Sequence, residues 1–221
     1  MKAFRDMDMK RHWFFDLDGT LCATETDIKD AWRATIRELG LDLAPFELLS
    51  TTGPSIDDMV RLMWPESADA ALIAAVRAAF VRHYDTGGFP TTEPYPGIVD
   101  RMDALVAAGA CLYIVTNKRF SATCALVDRL GWRTRFAGIY SSDKYKDGPL
   151  GKLKKPALLA HALREATAVP ADAVMVGDTH LDVEAGHANA LATIGVTWGY
   201  GSREELVQAG ADRIVDAPEE L

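Results

Sequence analysis

Short apolar runs recur along the chain, and most are separated by a stretch of helical period. The runs cover residues 12–16, 111–115, 137–140, 173–176, 191–196 and 213–215. Each is apolar on both alternating faces, which is the pattern of a strand buried on both sides. Between them, 97–108, 120–130, 156–167, 180–189 and 203–209 repeat apolar positions three or four apart, as helices with one buried face do. Strand and helix in alternation predict an α/β fold, a Rossmann-like parallel-sheet core with helices on both faces. Ligands of such sheets bind at the carboxyl ends of the strands.

One connection does not fit a simple crossover. About 70 residues separate Leu21 from the helix that follows Pro96, whereas a helical crossover needs only ~10–12. The segment has helical period of its own at 26–39, 54–64 and 67–84, and "TTGPS" at 51–55 breaks it as a turn. The Gly/Pro-rich "DTGGFPTTEPYPG" at 85–97 leads back. The organisation expected is a catalytic core from 1–21 and 93–221, with an inserted α-helical cap domain at 22–92.

Composition narrows the partners. The chain has 221 residues, 48% hydrophobic and 25% charged, with a formal charge of -8. That size suits one domain carrying a large insertion. An acidic surplus disfavours nucleic acid, and no apolar run approaches the ~18 residues of a membrane span. The start "MKAFRDMDMKR" lacks the apolar region of a signal peptide. Cys22, Cys111 and Cys124 form no CxxC pair, so neither a zinc ribbon nor a disulfide framework is suggested. Cys111, inside "ACLYIV", is expected in the core. Together these features point to a reducing cytoplasm; a monomer and a homodimer are both compatible with them.

The candidate chemistry stands just after the predicted strands. The first strand delivers Asp16, Asp18 and Thr20, "CLYIV" delivers Thr116 and Asn117, and "AVMVG" delivers Gly177 and Asp178, with Asp182 beyond. Lys155 opens a helix directly before Pro156; Lys154 beside it leaves the register open by one. Parallel neighbours would collect all of these at one sheet edge. Carboxylates there repel: two unit charges roughly 4 Å apart cost about 4 kcal/mol at an effective dielectric near 20. A cation offsets this, and oxygen-rich sites with a substrate phosphate suit Mg²⁺. A hydroxyl, backbone N–H groups and an ammonium hold phosphate. Metal, phosphate cradle and a free carboxylate together read as phosphoryl transfer.

"DLDGT", "VTN", "KKP" and "GDTHLD" resemble, in order and spacing, the four motifs of the haloacid dehalogenase superfamily. "YPG" at 95–97 and "TWGYGSREEL" at 197–206 are similar to its phosphoglycolate-phosphatase-like branch, whose helical inserts after the first motif are cap domains. The resemblance implies a Mg²⁺-dependent phosphomonoesterase working through an aspartyl-phosphate on a small phosphorylated metabolite such as 2-phosphoglycolate. Asp16 would be the nucleophile, and Asp18 the general acid and later the base. Thr116, Asn117 and Lys155 would hold the phosphate. Asp16, Asp178 and the Asp18 carbonyl would bind Mg²⁺, with Thr20, Gly177 and Asp182 in support. Selectivity would lie in the cap, at Thr51, Thr52, Gly53 and Ser55. An acid at position 18 favours phosphatase over dehalogenase, because an alkoxide leaving group needs a proton and a halide does not. Ala23 departs from the pattern, standing where many relatives carry an acid.

Other readings are weaker on chemical grounds. A nucleotidase, sugar-phosphatase or pyrophosphatase would use the same core. A phosphomutase must retain and return the phosphoryl group. A signalling receiver domain also gathers acids, a Thr and a Lys, but is much shorter, lacks a cap and usually carries its acids adjacent. Alone, "LDGT" is ordinary turn chemistry. His180 and His187 lack a third metal ligand, and "GYGSRE" and "GPLGK" complete neither a dinucleotide nor a P-loop fingerprint. Trp198 and Tyr200 suit a pocket lining or a packed loop, and Arg33, Arg37, Arg61, Arg82 and His83 suit a solvated helix face.

Overall fold

The structure, a computed structural model, describes residues 10–49 and 55–221. Residues up to Ala23 together with Glu93–Leu221 form one compact unit, and Thr24–Thr92 form another.

The larger unit is built on a six-stranded sheet. Its strands are β1 (His12–Phe15), β4 (Cys111–Thr116), β5 (Phe136–Ser141), β6 (Ala173–Gly177), β7 (Ala192–Val196) and β8 (Arg213–Val215). Their order is β5-β4-β1-β6-β7-β8, and every pairing is parallel. In β1, Trp13, Phe14 and Phe15 are all fully buried, as expected of a central strand covered on both faces. Phe14, Tyr113, Val115 and Met175 pack with Leu158, Leu159 and Ala162 of α7 (Lys155–Glu165). Helix α8 (His180–Ala188) packs on α7, and α9 (Arg203–Ala209) packs on α8. Side-chain alternation turns Trp13, Phe15, Leu112 and Ile114 to the opposite face. There α5 (Ile98–Ala107) lies against β4 and α6 (Phe120–Arg129) against β5.

A two-stranded ribbon not foreseen in the apolar pattern, β2 (Cys22–Ala23) against β3 (Glu93–Pro94), brings the chain's exit and return side by side in the larger unit. Ala23 is exposed there. Cys111 is exposed rather than buried, because it is the first residue of β4, at the sheet's end; Cys22 is the buried cysteine.

The smaller unit holds α1 (Glu25–Glu38), α2 (Ala44–Glu47), α3 (Ile56–Met63) and α4 (Ala70–Thr86). Helices α1 and α4 pack through Trp32 and Phe80, whose rings lie 4.9 Å apart. Ile73, Val76, Phe80 and Tyr84 form the buried stripe of α4 at helical spacing. Helix α3 starts later than its period suggested because Ser55 takes the N-cap, accepting the Asp58 N–H at 3.3 Å. Single-turn α2 carried no periodic signal. Thr51, Thr52 and Gly53 lie outside the described residues.

Asp27, in the first turn of α1, ties down the returning chain. Its carboxylate accepts the Thr91 and Thr92 hydroxyls at 2.7 and 2.6 Å and the Thr92 N–H at 2.8 Å. Burial would raise its pKa, but these donors from Thr92 and Thr91 outweigh it and hold the group ionised. Replacing Asp27 by Ala removes the acceptor of these hydrogen bonds, two of them buried, so a destabilisation of about 2 kcal/mol is expected in urea unfolding. An unchanged midpoint would show that water replaces the carboxylate.

Candidate active site

Strand order decides what can meet. β1 lies between β4 and β6, with Phe15 level with Ile114 on one side and Val176 on the other. The chain runs outward from β1 to β4 and β5, then returns to β6 on β1's other edge. The crevice for a ligand opens where the order reverses, at the carboxyl end of β1. Asp16 continues that strand, its N–H bonded to the Val176 carbonyl at 2.9 Å.

The turn after Asp16 must pass close to Asp178. Gly19 has φ +85°, and a Cβ there would stand 2.2 Å from Asp178 Oδ2. Only glycine meets both conditions. Asp178 is fully buried; its Oδ1 accepts the Thr20 hydroxyl at 3.0 Å and its Oδ2 the Tyr200 N–H at 2.8 Å. Burial, with the Asp182 charge adding to it, pushes Asp178 up to about 6 despite those donors.

Lys155 enters from the first turn of α7, where Pro156 is tolerated because that N–H has no helical partner. Its ammonium stands 2.9 Å from Asp16 Oδ1 and 2.5 Å from Asp182 Oδ1. Burial alone would lower its pKa, but Asp16 and Asp182 outweigh burial and keep it charged. Lys154 is exposed, and Lys155 is the one that reaches these carboxylates. The other oxygen of Asp182 closes a capping box on α8, accepting the Thr179 N–H at 3.1 Å and hydroxyl at 3.0 Å. Gly177 leaves room for it: a Cβ there would fall 2.0 Å from Asp182 Cγ.

Asp16 is buried but not sealed, with 11% of its side chain accessible. Burial pushes it up to about 7, with Asp182, Asp178 and Asp18 acting in the same direction against Lys155. Asp18 turns to a different cation, Lys118, whose Nζ is 2.9 Å from its Oδ1. Thr116 is buried at the end of β4 and Asn117 beyond it is exposed.

The fit to a divalent cation follows from these observations. Asp16, Asp178 and Asp182 each offer an oxygen, all within 4.8 Å of one another. Lys118 pairs with Asp18, and Lys155 with Asp16 and Asp182, while Asp178 has no ion pair among the described residues, so these four carboxylates exceed the two ammonium groups by two negative charges when all are ionised. A dication balances that deficit.

Some of the site was not anticipated. Lys118 follows Thr116 by two residues and carries no signal of its own in the sequence. The Tyr200 N–H is a backbone group with no sequence signature, although "GYG" marks the close approach of that loop to Asp178. Trp198 donates to the Thr20 carbonyl at 3.0 Å, which fits a packed loop. His180 is exposed and paired with Glu205, and His187 is exposed, with Asp212 3.7 Å away. Arg33, Arg61, Arg82 and His83 pair with carboxylates of the smaller unit. Among the described residues, no helix is long and apolar enough to cross a membrane.

The chain is similar to known proteins over nearly its whole length. The family model of haloacid dehalogenase-like hydrolases matches residues 13–196. The phosphoglycolate phosphatase of Neisseria gonorrhoeae is 30% identical over 215 residues, spanning 94% of this chain and 89% of the relative. That of Chromobacterium violaceum is 33% identical over 214 residues, spanning 94% and 92%. Among solved structures, CbbY from Rhodobacter sphaeroides in complex with phosphate has a TM-score of 0.78 and 28% identity, covering 96% of each chain.

Proposed function

The chain belongs to the haloacid dehalogenase-like hydrolase family and is a phosphatase within it, and from that premise we propose that it hydrolyses a small phosphate monoester through a covalent phosphate on Asp16. The observation that carries this reading is the state of Asp16. It is a buried carboxylate with a narrow accessible edge, its Oδ1 2.9 Å from the Lys155 ammonium. An oxygen so placed is poorly solvated and available to attack.

The steps assign one task to each group. Lys155, the Thr116 hydroxyl and the backbone N–H groups after it receive the phosphate oxygens. Asp16 attacks phosphorus, the ester P–O bond breaks, and Asp18 gives its proton to the departing oxygen. Asp18 then takes a proton from water as that water attacks the Asp16-bound phosphate, which releases inorganic phosphate and restores Asp16. Mg²⁺, held by Asp16 and Asp178 and by the Asp18 carbonyl that the family resemblance implies, would supply charge neutralisation on the phosphoryl oxygens. Asp182 serves by orienting Lys155 and closing the start of α8.

2-Phosphoglycolate is the first candidate substrate, supported by relatives at 30% and 33% identity that carry that name. The helical unit at 24–92 is assigned the choice among substrates, since it is inserted a few residues after Asp18 and is the part of the chain the chemistry does not use. A panel of 2-phosphoglycolate, sugar phosphates, nucleoside monophosphates and pyrophosphate with Mg²⁺ tests the reading. The expected result is phosphate release that EDTA abolishes, with kcat/KM highest on 2-phosphoglycolate. Full turnover in EDTA would remove the metal from the reading.

The raised carboxylates also imply a pH-dependent response to the metal. A carboxylate with a folded pKa above its unfolded value, near 3.8 for Asp, contributes most stability below that value. It loses the contribution as pH rises through about 6 for Asp178 and about 7 for Asp16. The metal-free protein therefore carries unrelieved repulsion at pH 8 and little at pH 5. Mg²⁺ is expected to raise Tm substantially at pH 8 and little at pH 5, because protons and cation compete for the same oxygens. Equal Mg²⁺-induced shifts at both pH values would place the metal elsewhere.

A further inference from the structure

Lys118 has no part in the four motifs, yet the fold places it with unusual definition. Its side chain is 5% exposed, against 21% for the Asp18 side chain it contacts. An ammonium so little hydrated must be paired, whereas a pair on open surface contributes little. The two residues are 100 positions apart, so the contact exists only because β1 and β4 are neighbours.

The loop that carries Lys118 is fixed at both ends. Thr116 Oγ1 accepts the Lys118 N–H at 3.2 Å. Ser142, just past β5, donates its N–H to the Thr116 carbonyl at 3.2 Å and its hydroxyl to the Asn117 carbonyl at 3.1 Å. Phe120 N–H is held by Asp143 Oδ1 at 2.7 Å. The lysine thus starts from a pinned backbone, and much of the entropy of aiming its side chain is already lost on folding.

The aim has a consequence for the carboxylates. Asp16, Asp178 and Asp182 converge within 4.8 Å, while the Asp18 side chain, two residues from Asp16, is outside that group and faces Lys118. We propose that Lys118 is a positioning residue that holds the Asp18 carboxylate apart from the Asp16 cluster, in the orientation from which it serves the leaving oxygen. Lys118 itself gives up no proton and forms no bond to phosphorus. This deepens the reading of Asp18 as proton donor and rests on it.

The test uses the dependence on leaving group. An alkyl phosphate requires the proton from Asp18 and p-nitrophenyl phosphate hardly does. Lys118→Met is expected to lower the first-step rate on an alkyl phosphate roughly 10–100-fold, the scale of a misplaced catalytic group. The loss on p-nitrophenyl phosphate should be several-fold smaller. Lys118→Arg should recover part of the difference, and melting curves of both variants check that the fold is kept. In an Asp18→Asn background, Lys118→Met should add little, because the group it positions has already been disabled. Equal losses on both esters, or fully additive losses in the double variant, would overturn the proposal while leaving the proton-donor reading intact. If Asp18→Asn alone shows no leaving-group dependence, the proton-donor reading fails first and the role of Lys118 fails with it.

Discussion

Asp16→Asn is expected to abolish turnover of every phosphate ester, by roughly 10⁴-fold or more, the scale of removing a nucleophile. The substitution keeps the side-chain shape and the N–H bond to Val176. It removes the attacking oxygen and one of the charges that burial and three neighbouring carboxylates oppose. The loss should therefore be independent of leaving group, and no phosphoenzyme should be trapped on rapid quenching. The same change should raise the metal-free Tm at pH 8, since a neutral side chain replaces one whose ionisation burial disfavours. Loss of activity with a gain of stability is the signature of a group placed for chemistry. Substantial residual turnover with no change in Tm would mean that another residue attacks and that Asp16 belongs only to the fold.

Asp18→Asn should separate the two steps. As proton donor, Asp18 matters for an alkoxide leaving group and little for p-nitrophenolate, which departs as a stable anion. General acid help is typically worth ~10²–10⁴-fold, so the first-step loss on an alkyl phosphate should fall in that range and should be small on p-nitrophenyl phosphate. The second step should fail with either ester, because Asn takes no proton from water. Rapid mixing with p-nitrophenyl phosphate should then show a burst of p-nitrophenol approaching one equivalent, followed by slow turnover. Equal losses on both esters without a burst would reduce Asp18 to a partner for Lys118.

The alternation of strand and helix was legible because burial imposes a period on each segment by itself. Two or three residues suffice to show a face, so β1, β4, β5, β6, β7 and β8 and their intervening helices could be read one by one. Asp16, Thr116 and Asp178 stood out for the same reason: each stands at the end of an apolar run, where a polar residue has few structural uses, and Asp18 stood out by its spacing of two from Asp16. What stayed hidden has no local signature. Cys111 sits in an apolar run, but its place at the start of β4 exposes it. Asp27 carries no signal in the sequence, and its role exists only where Thr91 and Thr92 come back to it.

By itself, then, the chain's pattern determined the fold class, the strand ends and the residue types that stand on them. The tertiary structure alone decided which of those ends are neighbours. β1 between β4 and β6 sets Thr116 on one side of Asp16 and Asp178 on the other. The entry of α7 chose Lys155 over Lys154, the pinned loop after β4 gave Asp18 a cation, and the chain beyond β7 supplied Asp178 with a backbone donor. The physical reason is that periodicity reports only whether a residue is buried. Which charge or donor faces it there depends on sheet order and on backbone groups that every residue shares, and neither is written in side-chain composition.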